Sequence, residues 1–127
     1  MAEKTRDSYF GAALSFRATD EVVYQVSAKS GSTALITLNP DSDKEILLTN
    51  SSLEGWSDLR LLTNFLSPGA NTFLVRGGLG GSPPVRADVT YSIGRMIGSK
   101  YFPAIVRHVT NDSPGLARLT EHVITII

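Results

Sequence analysis

The chain contains no cysteine. Disulfides, thiolate metal sites and cysteine nucleophiles are excluded together. Histidine is scarce: His108 and His122 are the only two, and neither has a partner at metal-ligand spacing. No Gly-x-Ser-x-Gly elbow offers a nucleophile. The glycine-rich stretch Gly77-Gly78-Leu79-Gly80-Gly81 is followed by no Lys-Ser/Thr pair, so it is not a phosphate-binding P-loop. Charge of one sign is also lacking. Twelve Lys and Arg balance twelve Asp and Glu, so no net cationic field leads the chain to a partner. No run approaches the roughly 18 apolar residues of a membrane span. The start, Met1-Ala2-Glu3-Lys4-Thr5-Arg6-Asp7, is polar, and no apolar run of signal-peptide length follows it. The expectation is a soluble, non-enzymatic protein used inside a cell, with no catalytic residue, no cofactor, no metal and no membrane.

What is present is one domain, 1–127, of 127 residues with 42% apolar content, enough for a core of its own. Alternation of apolar and polar residues marks most of it. Tyr9 to Arg17 reads as a strand turning at Thr19-Asp20-Glu21 into Val22 to Ser27. Thr33 to Leu38 and Glu45 to Thr49 are two more strands, making 1–50 an N-terminal hairpin with edge strands. Asp41, Asp43 and Glu45 read as a solvated edge that resists strand pairing. In the central meander, 51–96, Leu59 to Leu66 fits a strand or a helix. The Ser67-Pro68-Gly69-Ala70 turn and the matched run Asn71 to Arg76 favour a hairpin, with positive φ at Gly69. Arg86 to Ile93 alternates almost perfectly, setting Arg86, Asp88, Thr90 and Ser92 against Ala87, Val89, Tyr91 and Ile93.

The pattern changes after Gly94. Ile97, Tyr101, Ile105 and Val109 recur at helical spacing, and Ser113-Pro114 forms a helix start. Leu116, Leu119, Val123 and Ile127 would line one face of that second helix. The expected fold is therefore α+β: an antiparallel meander of about six strands, followed by two C-terminal helices in 97–127 that pack on a partner subunit. An apolar C-terminus of this kind asks for a cover. The sheet face away from the helices would collect Arg60, Asn64, Thr72, Arg76, Arg86, Asp88 and Thr90. Three arginines among hydroxyls and amides suit phosphates and bases, and the same pattern fits a plain solvent-exposed sheet face at least as well.

From about Leu59 to Ile127 the layout resembles the coat proteins of single-stranded RNA bacteriophages, the levivirus group. The resemblance is carried by the hairpin around Ser67-Pro68-Gly69-Ala70, the loop Gly77 to Pro84, the strand Ala87-Asp88-Val89-Thr90-Tyr91-Ser92 and the stretches Pro103 to Val109 and Pro114 to Val123. It implies a homodimer that self-assembles into an icosahedral shell, packages single-stranded RNA, and represses translation through an RNA hairpin. It implies a virion protein assembled in the host bacterial cytoplasm. On this resemblance Arg60, Asn64, Thr72, Arg76, Arg86, Asp88 and Thr90 would face RNA. Ile105, Val109, Leu116, Leu119 and Val123 would form the dimer interface, and Gly77, Gly78, Leu79, Gly80 and Gly81 the symmetry-axis loop. Two other expectations stay open: a connector or tail subunit that forms a ring, and a small α+β ligand-binding domain using His108 or His122.

Overall fold

A computed structural model describes residues 13–28, 32–51, 56–79, 87–111 and 117–127. It contains nine strands: β1 Leu14–Phe16, β2 Glu21–Ala28, β3 Ser32–Leu38, β4 Ile46–Ser51, β5 Arg60–Leu61, β6 Gly69–Leu79, β7 Ala87–Ile97, β8 Lys100–Asn111 and β9 Ala117–Ile126. Among the described residues the one helical element is a 3-10 turn, Thr63–Phe65. The strands form two sheets, β1-β9-β6-β3-β4 and β5-β2-β7-β8, hereafter sheets A and B. The sheets stack face to face, with β8 over β9, β7 over β3 and β6, and β2 over β3. This is a two-sheet sandwich and not an α+β fold.

The two expected C-terminal helices are strands. Lys100 to Asn111 is β8, paired antiparallel with β7 from Lys100↔Ile97 to Asn111↔Ala87. Ala117 to Ile126 is β9, held between β6 and β1. The physical reason lies in residue type. Ile105, Val106, Val109, Thr110, Thr120, Val123, Ile124, Thr125 and Ile126 are β-branched, which costs rotamer freedom on a helix and packs well on a pleated surface. The helical spacing of Ile97, Tyr101, Ile105 and Val109 coexists with a period of two, and the latter wins. Pro103 opens no helix; it sits in an edge strand, where proline is tolerated. Ser113, Pro114 and Leu116 lie outside the described residues.

Three local expectations also change. β1 and β2 are not a hairpin: β1 runs parallel to β9 in sheet A, and β2 pairs with β5 and β7 in sheet B. Asp20 turns the corner between the sheets, its carboxylate accepting the Arg17 N–H at 2.8 Å. The Leu59 to Leu66 run keeps only two strand residues before the 3-10 turn. Leu62 is fully buried there, and the Thr63 hydroxyl accepts the Val22 N–H at 2.7 Å. Gly69 has φ of +85°, as the turn requires, but it opens β6, whose partners are β9 and β3. Gly77, Gly78 and Leu79 end β6 and pair with β3, so they are not loop; Gly80 and Gly81 lie outside the described residues.

The core fills the space between the sheets. Val89, Tyr91 and Ile93 point into it, as their alternation requires, and they meet the other sheet where a helical roof was expected. Tyr24, Phe73 and Tyr91 form its aromatic spine, with ring centroids 5.7 Å and 6.2 Å apart. Burying such a ring contributes about 2–3 kcal/mol from removed apolar area. The hydroxyl of Tyr24 reaches β4, 2.6 Å from the Thr49 hydroxyl and 3.1 Å from the Leu48 carbonyl.

Two polar or backbone features fix the frame. Asn71, 1% exposed, holds the 67–70 turn. Its carboxamide NH2 donates to the carbonyls of Ser67, Gly69 and Ile124, and its oxygen accepts the Ser67 N–H at 2.8 Å and the Asn39 amide at 3.2 Å. Gly94 lies at the register shift between β7 and β8. A Cβ built there would stand 2.2 Å from the Phe102 carbonyl oxygen and 2.6 Å from the Pro103 Cα. Both obstacles are backbone and cannot swing aside. Gly94→Ala is expected to lower unfolding free energy by about 2 kcal/mol or more. Asn71→Ala should cost about 2–4 kcal/mol by leaving buried backbone groups unpaired. Urea denaturation followed by Trp56 fluorescence measures both; a change below about 0.5 kcal/mol in either variant would contradict its assigned role.

Candidate functional site

The seven residues expected to face RNA do not share a face. Thr72 and Arg76 alternate with the inward-pointing Phe73 and Val75 on β6, so they lie on the outer side of sheet A. Asp88 and Thr90 alternate with Val89 and Tyr91 on β7, on the outer side of sheet B, across the molecule. Arg60 is exposed in β5 and Asn64 is exposed in the 3-10 turn. Arg86 lies outside the described residues. The Arg76 guanidinium leans on the Thr37 hydroxyl at 3.4 Å, and its Nε is buried with no partner.

The residues expected at a dimer interface are equally divided. Val109 and Leu119 belong to the chain's own core, at 2% and 0% exposure. Ile105 is half-buried against that core. Val123 is exposed on the outer side of sheet A, and Leu116 lies outside the described residues.

The polar groups of sheet B were read more accurately, and they are engaged with one another. His108 Nε2 is 2.6 Å from Asp88 Oδ1. The Ser92 hydroxyl, 2% exposed, is 2.7 Å from the Tyr101 hydroxyl. Histidine, aspartate and serine thus share one face, yet the serine is occupied by tyrosine and the Nε2 of the histidine by the aspartate. No nucleophile–base pair results. Among the described residues no group of three His, Asp or Glu side chains is placed to hold a metal ion.

His122 lies fully buried between the sheets. Its Nε2 is 2.5 Å from the Tyr91 hydroxyl, and the two rings meet edge-on at 5.5 Å. Burial pushes the Tyr91 phenol up to about 12, against the opposing pull of Thr120 and the Arg107 charge. Burial raises Tyr101 too, with Ser92 pulling the other way. His122 is therefore built into the fabric of the sandwich, while His108 lies exposed on the outer side of sheet B. The fold holds Tyr91 neutral. Its contribution is whole below about pH 10, the free phenol's value, and drains as pH rises toward about 12. The raised value corresponds to a few kcal/mol at most. Urea midpoints taken in steps from about pH 9 to about pH 12 are expected to fall accordingly. Tyr91→Phe should be less stable at neutral pH and show a shallower alkaline slope; an unchanged slope would remove Tyr91 from this role.

The accessible features that remain are the sheet edges. Among the described residues each sheet has one short and one long edge strand. In sheet A these are β1, with three residues, and β4, with six. In sheet B they are β5, with two, and β8, with twelve. Since β8 overlies β9 and Tyr24 of β2 reaches β4, the two long edges lie on opposite sides of the sandwich. β8 exposes Phe102 and Val106, at 47% and 60%, with Ile97 exposed beside its turn; β4 exposes Leu47 at 58%. A cleft of about 320 Å³ opens along the start of β8, lined by Ser15, Phe16, Arg95, Phe102, Pro103 and Ala104. None of these edge residues was singled out by the sequence reading as an exposed contact. The signal existed in the β-branched run from Ile105 to Thr110, but assigning that run to a helix concealed it.

No protein-family model, characterised protein or solved structure matches the chain.

Proposed function

We propose that the protein is a structural subunit that performs no chemistry and works by associating with further copies of itself, in a coat-like shell or a ring. The observation that carries this reading is the long open edge β8, twelve residues with apolar side chains in solvent. A free strand edge is a row of unpaired N–H and C=O groups, and proteins that remain monomeric blunt it. Here β1 and β5 are blunted by their shortness. β8 is blunted by Pro103, the register shift near it and the charges of Lys100 and Arg107, and among the described residues the stretch after Pro103 pairs on one side alone, with β7. Exposed aliphatic and aromatic side chains along such an edge add apolar area to backbone pairing.

This reading keeps self-assembly from the coat-protein resemblance and drops the exchange of helices, since β8 and β9 are strands of their own chain. It also leaves RNA out of the subunit's recognition surface. Arg60 and Arg76 sit on different sheets, so among the described residues the arginines expected to meet RNA do not gather on one face. Light scattering after size exclusion, together with negative-stain electron microscopy, is expected to show discrete assemblies at several times the 13.7 kDa of one chain. Their ratio of absorbance at 260 to 280 nm should be that of protein without nucleic acid. A species of one chain's mass at high protein concentration would sink the reading. Assemblies rich in nucleic acid would sink its second half.

A further inference from the structure

We propose that the cleft between β1 and β8 is a binding site for a small organic anion, a carboxylate carried on a compact apolar body. Such a site stands or falls separately from self-assembly.

The cleft forms where the backbone of β8 departs from regular pairing. Between the pairs Ile93↔Ile105 and Gly94↔Pro103, Ala104 is an extra residue with no partner on β7. A bulge of this kind bends its strand and re-aims the side chains beside it. Pro103 has no N–H for a ladder, and Gly94 admits the Phe102 and Pro103 backbone closer than any side chain would allow. The space beside these irregularities measures about 320 Å³ and is shared by β1 and β8, an edge strand of each sheet. That volume lies at the small end of ligand clefts, about 300–1,000 Å³.

Its lining joins two chemistries. Phe16, Phe102, Pro103 and Ala104 supply apolar surface, and Arg95 supplies a cation. Arg95 Nη1 lies 3.6 Å from Asp20 Oδ1, an ion contact longer than a hydrogen bond. The other Asp20 oxygen already accepts the Arg17 N–H at 2.8 Å. Asp20 therefore balances the Arg95 charge, yet among the described residues the guanidinium N–H groups make no hydrogen bond. With the side chain 47% exposed, that planar fork is open to a carboxylate in bidentate geometry. A bare inorganic anion would fill the fork and leave the apolar walls wet. An uncharged apolar molecule would do the reverse. A carboxylate joined to an apolar body meets both. Because Asp20 lowers the local positive charge, affinity comes from the hydrogen bonds and the apolar walls, and the expected Kd is on the order of 1 mM.

Phenylacetate is the probe, followed on the full chain by saturation-transfer NMR, which reads the small molecule whatever the size of the protein particle. Wild type is expected to bind it saturably. Acetate, which lacks the ring, and 2-phenylethanol, which lacks the charge, should each bind at least about tenfold more weakly. Arg95→Gln should weaken phenylacetate by at least about tenfold and Phe102→Ala by about threefold or more. Lys44→Gln, in the exposed turn before β4, should change nothing. Asp20→Asn removes the competing carboxylate and keeps an oxygen for the Arg17 N–H, so it should tighten binding. Circular dichroism checks that each variant is folded. Binding that Arg95→Gln leaves unchanged puts the probe elsewhere and overturns the assignment. Equal binding of 2-phenylethanol, or no saturation up to about 100 mM phenylacetate, overturns it too. If Arg95→Gln unfolds, Arg95→Lys, which keeps the charge and loses the fork, takes its place with the same reading. A wild type that assembles without binding the probe loses the site and keeps self-assembly; a monomer that binds it does the opposite.

Discussion

The fold depends on where β9 sits. This strand runs through sheet A between β1 and β6, parallel to the first and antiparallel to the second. It supplies Leu119, His122 and Ile124 to the core, and its backbone completes the pairing of both neighbours. Among the described residues β1 pairs with no other strand, and β6 pairs otherwise with β3 alone. The cross-sheet hydrogen bond from Tyr91 to His122 ends on this strand, as does the Asn71 bond to the Ile124 carbonyl. Both polar contacts act as pins. A buried hydroxyl, imidazole or carboxamide is tolerated only in the register that pairs it, so each discriminates against a slipped β9.

Filling the middle of sheet A in this way decides what is left for the surface. Leu119 and Ile124 of the C-terminal segment are buried inside the chain, while Val123 and Ile127 stay exposed. What the fold cannot satisfy internally is the backbone at the ends of its two open sheets. Shortness deals with two of the four edges. The other two, β4 and β8, are longer and expose apolar side chains, Leu47 on the first and Phe102 and Val106 on the second.

The sequence reading was right about strands where residue alternation and burial coincide. Val89, Tyr91 and Ile93 face inward and Asp88, Thr90 and Ser92 outward, because a single strand under one core leaves no other choice. The positive φ of Gly69 was legible from Pro68-Gly69 for the same local reason. Helix and strand could not be separated where two periods overlap. Ile97, Tyr101, Ile105 and Val109 are four apart, a spacing that a period of two also satisfies, and the pairing of β7 with β8 settled the matter. Pairing between distant strands was the least legible. Nothing local to Leu14 announces Ile124 as its neighbour. For the site, the identity of the polar residues on β7 was readable, but their dispersal relative to Arg60 and Arg76 depended on which sheet each strand joined. That assignment followed from the corner at Asp20 and the 3-10 turn after Leu62, both local irregularities inside apparently regular patterns.

The parallel pairing of β1 with β9 joins positions 110 residues apart in sequence, Leu14 with Ile124. Closing so large a loop costs chain entropy before any contact repays it. Most other pairings here are also remote, so the domain should be a slow folder, on the order of milliseconds to seconds. Until β9 docks, the flank of β6 is an unpaired row of apolar strand. Crowded nascent copies would compete for that flank, which makes the immature form prone to disordered association.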